Sequence, residues 1–327
     1  MVWEEIITVI ELLVFPGFLF IFCLGLFYQW IDRKFYAKLQ NRYGPLHTGS
    51  KGIYQPLADF VKLLTKEDIV PAAADKVLFT LTPIMLLAIP FTAIFCVPII
   101  GRAFSAFEGD IIFVIFVLGI IAMLKFLAGW GSTNRFSTIG SVRAAFQLFS
   151  YEVPLTIVLF STAMLARSLS ISSIAQYVAS NPLAVIVLLP GFAVALVCFV
   201  AELERVPFDI PEAEQEIVAG WLTEFTGRRL ALLRLSVDVE TVLAVALMAA
   251  IFLGGPYGLT LPYIPQLYYF IWFFIKATVI LLVLANIRAA FARLRIDQMV
   301  HTGWKYLMVI AVLEIILVQA VLAGGIL

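Results

Sequence analysis

Eight long apolar stretches constrain the fold of this 327-residue chain more than any other feature. Each can cross a hydrocarbon core of roughly 30 Å as a helix, since a helix rises about 1.5 Å per residue. Apolar residues make up 62% of the chain and the mean hydropathy is +1.02, which excludes a soluble globular protein. The sequence therefore predicts one all-α polytopic membrane domain over residues 1–327, with about eight transmembrane helices. The predicted spans are approximately 6–31, 77–100, 111–130, 145–166, 182–201, 230–253, 267–287 and 306–327.

The loops between these spans divide into two sets by charge. One set of four carries 17 of the 22 Lys and Arg residues, whereas the opposite set carries only Arg102 and Arg167. Lys and Arg are concentrated in the cytoplasmic loops of membrane proteins. We therefore expect a multi-pass protein of the cell membrane with the four basic loops in the cytoplasm and both termini outside. The four loops are residues 32–76, 131–144, 202–229 and 288–305.

The third of these loops also holds a dense acidic cluster, with seven carboxylates and three basic residues. Carboxylates crowded at the edge of a low-dielectric region repel one another and lose hydration, so their pKa values rise toward neutrality and they can pass protons on. An ordinary solvated acidic loop is the alternative. The carboxylates are Glu202, Glu204, Asp209, Glu212, Glu214, Glu216 and Glu224.

A helix is predicted to begin within this loop, with Asp209 as its cap and a proline in its first turn. Helical spacing would place Glu212 and Glu216 on one face, with Glu214 turned away. Two like charges at that spacing destabilise a helix unless a partner or a shared proton relieves them. The candidate basic partners are Arg205, Arg228 and Arg229.

The first loop contains an amphipathic segment. Its apolar residues recur at i, i+3, i+4 and i+7, while its charged residues lie elsewhere on the helical wheel. We expect a helix lying along the membrane surface or under a partner, and a helix that only anchors the chain is the alternative. The apolar residues are Leu57, Phe60, Val61 and Leu64.

Ionisable residues also occur inside the predicted spans, where each costs at least about 2.5 to 3.5 kcal/mol on insertion scales. Arg234 and Asp238 share a face of the sixth span, which predicts an ion pair, whereas Glu240 points to another side. We expect Lys125, Glu152, Asp238 and Glu240 to form a polar track through the bundle. Three further residues need partners from other helices or another subunit, or else reach the interface: Glu11, Lys276 and Glu314.

Nothing in the sequence predicts a metal, a redox cofactor or a catalytic residue in this chain. The three cysteines lie in separate apolar spans, and His47 and His301 lie in different loops without a partner at metal-ligand spacing. There is no glycine-rich phosphate loop and no pattern of a nucleophile with its base.

Four loop sequences resemble the signature loops of the H subunit of complex I and its relatives, which include membrane-bound nickel–iron hydrogenases and other ferredoxin-linked complexes. The match covers nearly the whole chain, in order. The four sequences are DRKFYAKLQNRYGPLHTGSKGIYQPLADFVKLLTKED, GWGSTNRFSTIGSVRAAFQLFSYE, AELERVPFDIPEAEQEIVAGWLTEFTG and RLRIDQMVHTGWK.

The resemblance implies a subunit with eight transmembrane helices and no metal, placed between a hydrophilic electron-transfer arm and an ion-pumping membrane arm. In quinone-reducing members the cytoplasmic loops help to build the quinone chamber, and the acidic loop begins a proton path toward antiporter-like subunits. The implied partners are hydrophilic-arm subunits with iron–sulfur clusters, a hydrogenase-like large subunit, antiporter-like membrane subunits and the lipid bilayer, with no nucleic acid among them.

The resemblance also implies roles for residues at matching positions. The carboxylates of the proton-conducting junction would be Glu152, Glu202, Asp209, Glu212, Glu214, Glu216 and Glu224. Contacts with partner subunits would come from Arg33, Arg42, Asp59, Lys62, Arg135, Arg143, Arg295, Asp297 and Lys305. From the charge pattern alone we add Glu204, Lys125, Arg234, Asp238 and Glu240 to the proton pathway and Arg205 to the partner interface.

Three departures bear on which branch of the family this is. Quinone-type members usually read Glu-Thr-Asn-Arg where this chain reads Glu202-Leu203-Glu204-Arg205, usually have Asn in place of Leu46, and have a less charged sixth span. These departures predict a hydrogenase-like or other ferredoxin-linked complex, with a nickel–iron site in a partner subunit. The alternatives are the quinone-chamber subunit of a respiratory NADH:quinone oxidoreductase, a passive membrane anchor and an independent secondary transporter.

Overall fold

The chain is almost entirely helical in the computed structural model, which describes residues 2–101, 103–258 and 265–325. This agrees with the predicted all-α membrane fold, although Arg102 lies outside the described residues. In chain order the helices are α1 (Val2–Leu13), α2 (Phe18–Leu39), α3 (Gln55–Thr65), α4 (Lys76–Ile94), α5 (Asp110–Gly131), α6 (Arg135–Ala166), α7 (Ile171–Ser180), α8 (Pro182–Val187), α9 (Leu189–Glu202), α10 (Glu214–Ile217), α11 (Gly227–Phe252), α12 (Pro265–Ala290), α13 (Ile296–Thr302) and α14 (Met308–Ala323).

Seven helical segments in the described part of the chain are long and apolar enough to cross a membrane, one fewer than the sequence predicts. The difference lies in the predicted span 182–201, which is broken at Leu188 into α8 and the 14-residue α9. Pro190 lies in the first turn of α9 and has no N–H with which to continue a hydrogen-bond ladder from α8. The predicted eighth span is therefore a pair of short helices rather than one long helix.

Two helices extend into residues that were predicted as loops. Helix α2 continues past residue 32 to Leu39, and α6 begins at Arg135 rather than near residue 145. The start of α6 is fixed by Asn134, whose side-chain Oδ1 accepts a hydrogen bond of 3.0 Å from the N–H of Phe136. The second basic loop, predicted as residues 131–144, is therefore mostly the first turns of a long helix.

Helix α11 lies at the centre of the bundle, between α4, α2 and α12. Every side chain from Asp238 to Phe252 is buried. A helix that is buried on all sides belongs to the interior of a bundle. Asp238 and Glu240 are consequently enclosed by protein rather than facing lipid, which is the setting that the predicted polar track needs.

The predicted amphipathic helix in the first loop is confirmed as α3. Phe60 packs edge-on against Phe22 of α2, with ring centroids 5.7 Å apart. Leu57, Val61 and Leu64 remain 40%, 48% and 44% exposed, so most of the apolar stripe faces away from the chain. This arrangement suits a helix at the membrane surface.

The predicted helix starting at Asp209 does not form, and the loop contains only the four-residue α10 and a single 3-10 turn at Gly220–Leu222. Its backbone is held by long-range donors instead. Buried Gln147 of α6 donates to the carbonyls of Ala201 (2.7 Å) and Phe208 (2.9 Å), and Arg293 donates to the carbonyl of Asp209 (2.7 Å). Backbone groups satisfied in this way have no need of a helical ladder, and the loop is folded tightly onto α6.

Of the three isolated ionisable residues, Lys276 and Glu314 have partners on other elements. Lys276 of α12 donates to the carbonyls of Gly255 (2.9 Å) and Tyr257 (2.7 Å). Glu314 of α14 is 1% exposed and accepts a hydrogen bond of 3.0 Å from Ser161 of α6. Both interactions tie separate elements together inside the bundle.

Candidate functional site

A buried ionic cluster lies where α5, α9 and α11 meet. The Lys125 ammonium lies 2.9 Å from Glu240 Oε2 and 3.8 Å from Glu204 Oε1, and it donates to the Glu202 carbonyl at 3.1 Å. Lys125, Glu202 and Glu240 are each 3% exposed. Lys125 and Glu240, predicted as members of one polar track, are thus joined directly. Lys125 and Glu240 are 115 residues apart in the chain, so the sequence alone does not predict that they pair.

The carboxylates in this cluster outnumber the cation. Glu204 also accepts a hydrogen bond of 2.9 Å from Trp221 Nε1, whereas both Glu202 carboxylate oxygens are buried beside the Tyr151 hydroxyl. Three ionised carboxylates around one ammonium would leave a net charge of −2 in a low-dielectric region, which is strongly unfavourable. Holding protons in the cluster relieves that charge, so the cluster is chemically suited to take up and release them.

Next to the cluster is an acid-lined space of about 420 Å³, which we call the polar cavity. Glu204 belongs to both, because it lines the polar cavity and lies beside Lys125. The walls come from α2, the acidic loop, α11 and α12. Its charged lining residues are Asp32, Arg33, Glu204, Arg205, Asp209, Glu212, Glu214, Arg234, Asp238 and Arg288.

Asp32 organises one wall of the polar cavity, although the sequence did not single it out. It is 4% exposed and lies between Arg288 (2.9 Å) and Arg205 (3.3 Å). Arg205 also donates to the Thr241 hydroxyl at 3.1 Å. Arg205, predicted for the partner interface, therefore turns inward. The spacing in the sequence offered one signal, because Asp32 follows Tyr28 by four residues and so shares a helical face with it. Tyr28 is buried, which places the Asp32 carboxylate on the inner face of α2.

Arg234 pairs with a different residue from the one predicted. Its guanidinium lies 3.8 Å from Glu212, and the described residues give it no ion pair with Asp238. The side chain of Arg234 is about half exposed and reaches from α11 toward the loop. Glu212 and Asp238 both lie in the polar cavity, and the within-helix pair of Arg234 with Asp238 that the four-residue spacing predicts is absent among the described residues.

The basic partners proposed for the loop carboxylates pair elsewhere. Arg228 and Arg229, at the start of α11, both contact Asp68 at 3.3 and 2.6 Å. Glu216 pairs with Arg143 of α6 at 2.6 Å. These contacts anchor the middle of the acidic loop to α6 and its C-terminal end to the segment that follows α3.

The carboxyl groups of the loop differ in how easily they lose a proton. Burial raises the pKa of Glu212 to about 7, and Arg234 offsets only part of the rise. Burial likewise raises the pKa of Asp209, which Arg293 partly opposes. By contrast, the hydrogen bond from Arg143 lowers the pKa of Glu216. Two acids at the rim of the polar cavity therefore titrate above their usual range, while the exposed acid outside it stays ionised.

Two other predicted pathway residues lie away from the polar cavity. Glu224 accepts a hydrogen bond from Asn134 at the junction of α5 and α6. Glu152 is half-buried on α6, and a Cβ placed on Gly119 of α5 would come within 2.5 Å of its Oε1. The structure thus brings together Lys125, Glu202, Glu204, Asp209, Glu212, Glu214, Arg234, Asp238 and Glu240 but does not join Glu152, Glu216 or Glu224 to them.

The residues predicted to contact partner subunits fall into two groups. Arg33 and Asp59 form an ion pair of 2.6 Å between α2 and α3, and Arg143 pairs with Glu216. The others are exposed on the side that carries the basic loops and are free to meet another subunit: Arg42, Lys62, Arg135, Arg295, Asp297 and Lys305.

A smaller space of about 160 Å³, which we call the mouth cavity, lies between α2, α3 and α11. It shares Gln29, Arg33, Arg234 and Asp238 with the polar cavity. Its remaining walls are largely apolar and include Leu26, Pro56, Phe60, Leu63 and Leu235. The two spaces therefore share a wall. The rest of the mouth cavity is mainly apolar, whereas the polar cavity is mainly charged. Among the described residues no group of three or more His, Cys, Asp and Glu side chains is placed to hold a metal ion.

Comparison with known proteins identifies the family. The family model described as NADH dehydrogenase matches residues 10–319. The second of the NADH-quinone oxidoreductase H subunits of Rhizobium etli is 35% identical over 98% of this chain and 97% of its own length. The corresponding H subunit of a Geobacillus species is 38% identical over 87% of this chain and 85% of its own length. The second H subunit of Rhizobium meliloti is 35% identical over 96% of this chain and 98% of its own length.

These names bear on the predicted branch. Each refers to a quinone reaction and none to a hydrogenase, so a hydrogenase-like large subunit and a partner nickel–iron site find no support. The quinone-chamber alternative, which the sequence departures placed second, fits these names better than the hydrogenase-like interpretation does. The resemblance at the four loops is confirmed over nearly the full length, and this multi-pass membrane chain belongs to the H subunit family of complex I, also described as the NADH dehydrogenase subunit 1 family.

Proposed function

We propose that this chain forms the membrane side of the quinone chamber in an NADH:quinone oxidoreductase complex, and that its polar cavity passes protons toward the bundle interior. The observation that carries the proposal is the shared wall of the two cavities. The mouth cavity offers an apolar passage at the membrane surface, and the polar cavity offers acids beyond it. A quinone has a matching division, with a long apolar tail and a polar headgroup that takes up protons on reduction.

The passage for the tail is built by α2, α3 and α11. Leu26 and Phe60 line it on facing helices, and Pro56 opens α3 beside them. The ion pair between Arg33 and Asp59 stands where the passage meets the polar cavity. We propose that the headgroup comes to rest near this pair, because Gln29, Arg33 and Arg234 are the donors common to both spaces.

The route for protons continues through Glu204. This carboxylate lines the polar cavity and lies 3.8 Å from Lys125, which in turn contacts Glu240. Reducing a quinone to a quinol consumes two electrons and two protons, so a nearby supply of exchangeable protons is required. We assign that supply to Glu212 and Asp209 at the rim, whereas Glu204 and the Lys125 cluster pass protons on toward the bundle interior.

The proposed orientation follows the distribution of Lys and Arg, with the basic loops in the cytoplasm and both termini outside. It requires eight crossings, so α8 and α9 must cross together. Residues 182–202 would span about 31 Å at 1.5 Å per residue, which is sufficient. Exposed basic residues such as Lys62, Arg135 and Arg295 would then face the hydrophilic arm and its iron–sulfur clusters, while antiporter-like subunits would adjoin within the bilayer.

The experiment uses the assembled complex, a photoreactive azido-quinone and a variant of the linking acid. We expect the probe to label α2, α3 or α11, with labelling suppressed by excess quinone. Glu204→Gln should keep electron transfer near the wild-type rate while lowering the protons moved per electron. Glu224→Gln is the matched control, because Glu224 lies outside the polar cavity.

Three outcomes contradict the proposal. If competitive labelling is absent from these helices, the chain does not form part of a quinone chamber. Turnover with reduced ferredoxin that needs no quinone would restore the ferredoxin-linked alternative. If proton movement is unchanged in both Glu204→Gln and Glu212→Gln, the chain acts only as a passive membrane anchor.

A further inference from the structure

A second groove lies on the opposite face of α2 from the polar cavity and takes no part in the proposed function. It has a volume of about 740 Å³ and lies between the end of α2, the segment 41–51 and α12. We call it the rim groove. Its lining residues on α2 include Trp30, Lys34 and Lys38, spaced so that they share one helical face.

The deep part of the rim groove is apolar. Trp30 precedes the end of α2 by nine residues and Leu282 precedes the end of α12 by eight, which places both about 12 to 14 Å below the helix ends. Ile31 and Phe35 complete this wall. Trp30 and Leu282 fall within the predicted spans 6–31 and 267–287, near the ends of those spans, which places this wall at the boundary between headgroups and acyl chains.

The outer part of the rim groove is basic. Lys34, Lys38, Arg42 and Lys51 line it, and none of them forms an ion pair with a carboxylate in the part of the chain that the structure describes. Lys38, Arg42 and Lys51 are exposed. Four uncompensated cations beside an apolar wall attract an anion that carries an apolar tail.

The shape of the rim groove is fixed in advance by local contacts. Lys34 donates to the carbonyls of Pro45 (2.8 Å) and Lys51 (3.3 Å), and Trp30 donates to the Lys51 carbonyl at 3.2 Å. Gly52 is in a left-handed conformation, and a Cβ there would lie 2.4 Å from the Pro45 carbonyl. The segment 41–51 is thus folded against α2, so a ligand would meet a preformed site.

We propose that the rim groove binds an anionic glycerophospholipid, with an acyl chain along Trp30 and Leu282 and the phosphate among Lys38, Arg42 and Lys51. The depth of the apolar wall favours a lipid over an acidic segment of a partner subunit, which would use only the outer cations. Lys34 uses two of its three ammonium N–H groups in hydrogen bonds to carbonyls and can direct the third toward the phosphate.

Trp30 provides a built-in reporter for the test. The full-length chain is placed in lipid nanodiscs that contain equal fractions of phosphatidylglycerol and phosphatidylcholine, with bromine on the acyl chains of one lipid or the other. Bromine quenches nearby tryptophan fluorescence, and the contribution of Trp30 is obtained by subtracting the signal of Trp30→Phe. We expect stronger quenching of Trp30 by the brominated phosphatidylglycerol.

The variant Lys38→Gln/Lys51→Gln should reduce this preference by roughly fivefold for each cation removed. Lys62→Gln/Lys66→Gln, which neutralises two exposed lysines on or just after α3 at the same surface, should retain it. As a second readout, wild-type chain purified in detergent should retain phosphatidylglycerol that the Lys38→Gln/Lys51→Gln variant loses.

Equal quenching by the two lipids would overturn the proposal. So would relief of the quenching by inorganic phosphate at constant ionic strength, because the site would then bind a small anion rather than a lipid. A preference lost equally in both lysine pairs would reduce the effect to general surface charge and would also overturn it.

Discussion

The Lys125 ammonium lies 2.9 Å from Glu240 Oε2, and this ion pair joins α5 to α11 inside the membrane domain. Removing one member of a buried pair leaves the other charge uncompensated, at a typical cost of about 3 to 5 kcal/mol. We therefore expect Lys125→Met to lower the thermal stability of the detergent-solubilised chain strongly. Lys62→Met, at an exposed site on α3, should leave it nearly unchanged.

The double variant Lys125→Met/Glu240→Leu separates pairing from packing. With both charges gone, stability should recover most of the loss seen in Lys125→Met, because replacing a buried pair with apolar residues is often nearly neutral. Thermal unfolding of the four proteins in a double-mutant cycle measures the coupling. A double variant no more stable than Lys125→Met would show that the pair is not the dominant interaction.

Glu212 should make stability depend on pH near neutrality. Its ordinary pKa is 4.5 and burial raises the pKa to about 7 in the folded chain. A folded state that holds the proton more tightly gains stability below about pH 4.5 and loses it as the pH rises through 7. We expect Glu212→Gln to flatten this fall, by roughly 3 kcal/mol between pH 4.5 and 8. Thermal unfolding across that range is the measurement.

Glu216→Gln serves as the control for this pH dependence. The hydrogen bond from Arg143 lowers the pKa of Glu216, so this carboxylate stays ionised throughout pH 4.5 to 8. Its contribution is present above its unfolded pKa and is lost only as the pH falls through the lowered value. The variant should therefore keep the wild-type slope and lose less than about 1 kcal/mol, as exposed ion pairs do. An equal change of slope in both variants would contradict the assignment.

The pattern of apolar residues predicted much of the fold. The i, i+3, i+4 pattern of Leu57, Phe60, Val61 and Leu64 sufficed to predict α3, because the period of an amphipathic helix is a local property. Charge inside apolar spans likewise indicated that Lys125 would need a partner from elsewhere in the bundle. The identity of that partner depends on how α5 and α11 pack, which no local pattern contains.

The acidic loop was harder to predict for the same reason. Asp209 and the proline that follows it are typical of a helix start, yet Gln147 and Arg293 satisfy the backbone there and stabilise an irregular loop. Tertiary hydrogen bonds thus override a local signal. Asp32 escaped notice because it opens a run of basic residues, and only the fold shows Arg205 and Arg288 on either side of it.

Gly140 allows the acidic loop to approach α6. A Cβ at this position would lie 2.6 Å from the backbone nitrogen of Trp221 and 2.8 Å from the backbone of Gly220, and neither backbone atom can rotate away. Gly140→Ala should displace the loop, at a cost of roughly 1 to 3 kcal/mol. Because Trp221 donates to Glu204, we also expect lower proton movement and faster amide exchange over residues 203–226.

Gly119→Ala is the matched control for this substitution. Its Cβ would meet only the end of the Glu152 side chain, at 2.5 Å, and that carboxyl group can turn aside. Amide exchange over residues 203–226 should then remain at the wild-type rate. If both alanine variants accelerate exchange there equally, the close contact between α6 and the loop is not what holds the loop in place.

Asp32 should be important for stability because its one carboxylate contacts two arginines at the wall of the polar cavity. Asp32→Asn leaves Arg205 and Arg288 without their anion, so we expect a loss of about 3 kcal/mol and less assembled complex. Adding Arg288→Gln removes one of the two unpaired cations and should recover part of the loss. Asp297→Asn, at an exposed site on α13, should have little effect. Equal stability of Asp32→Asn and Asp297→Asn, measured by thermal unfolding, would exclude Asp32 as the organising anion of the cavity.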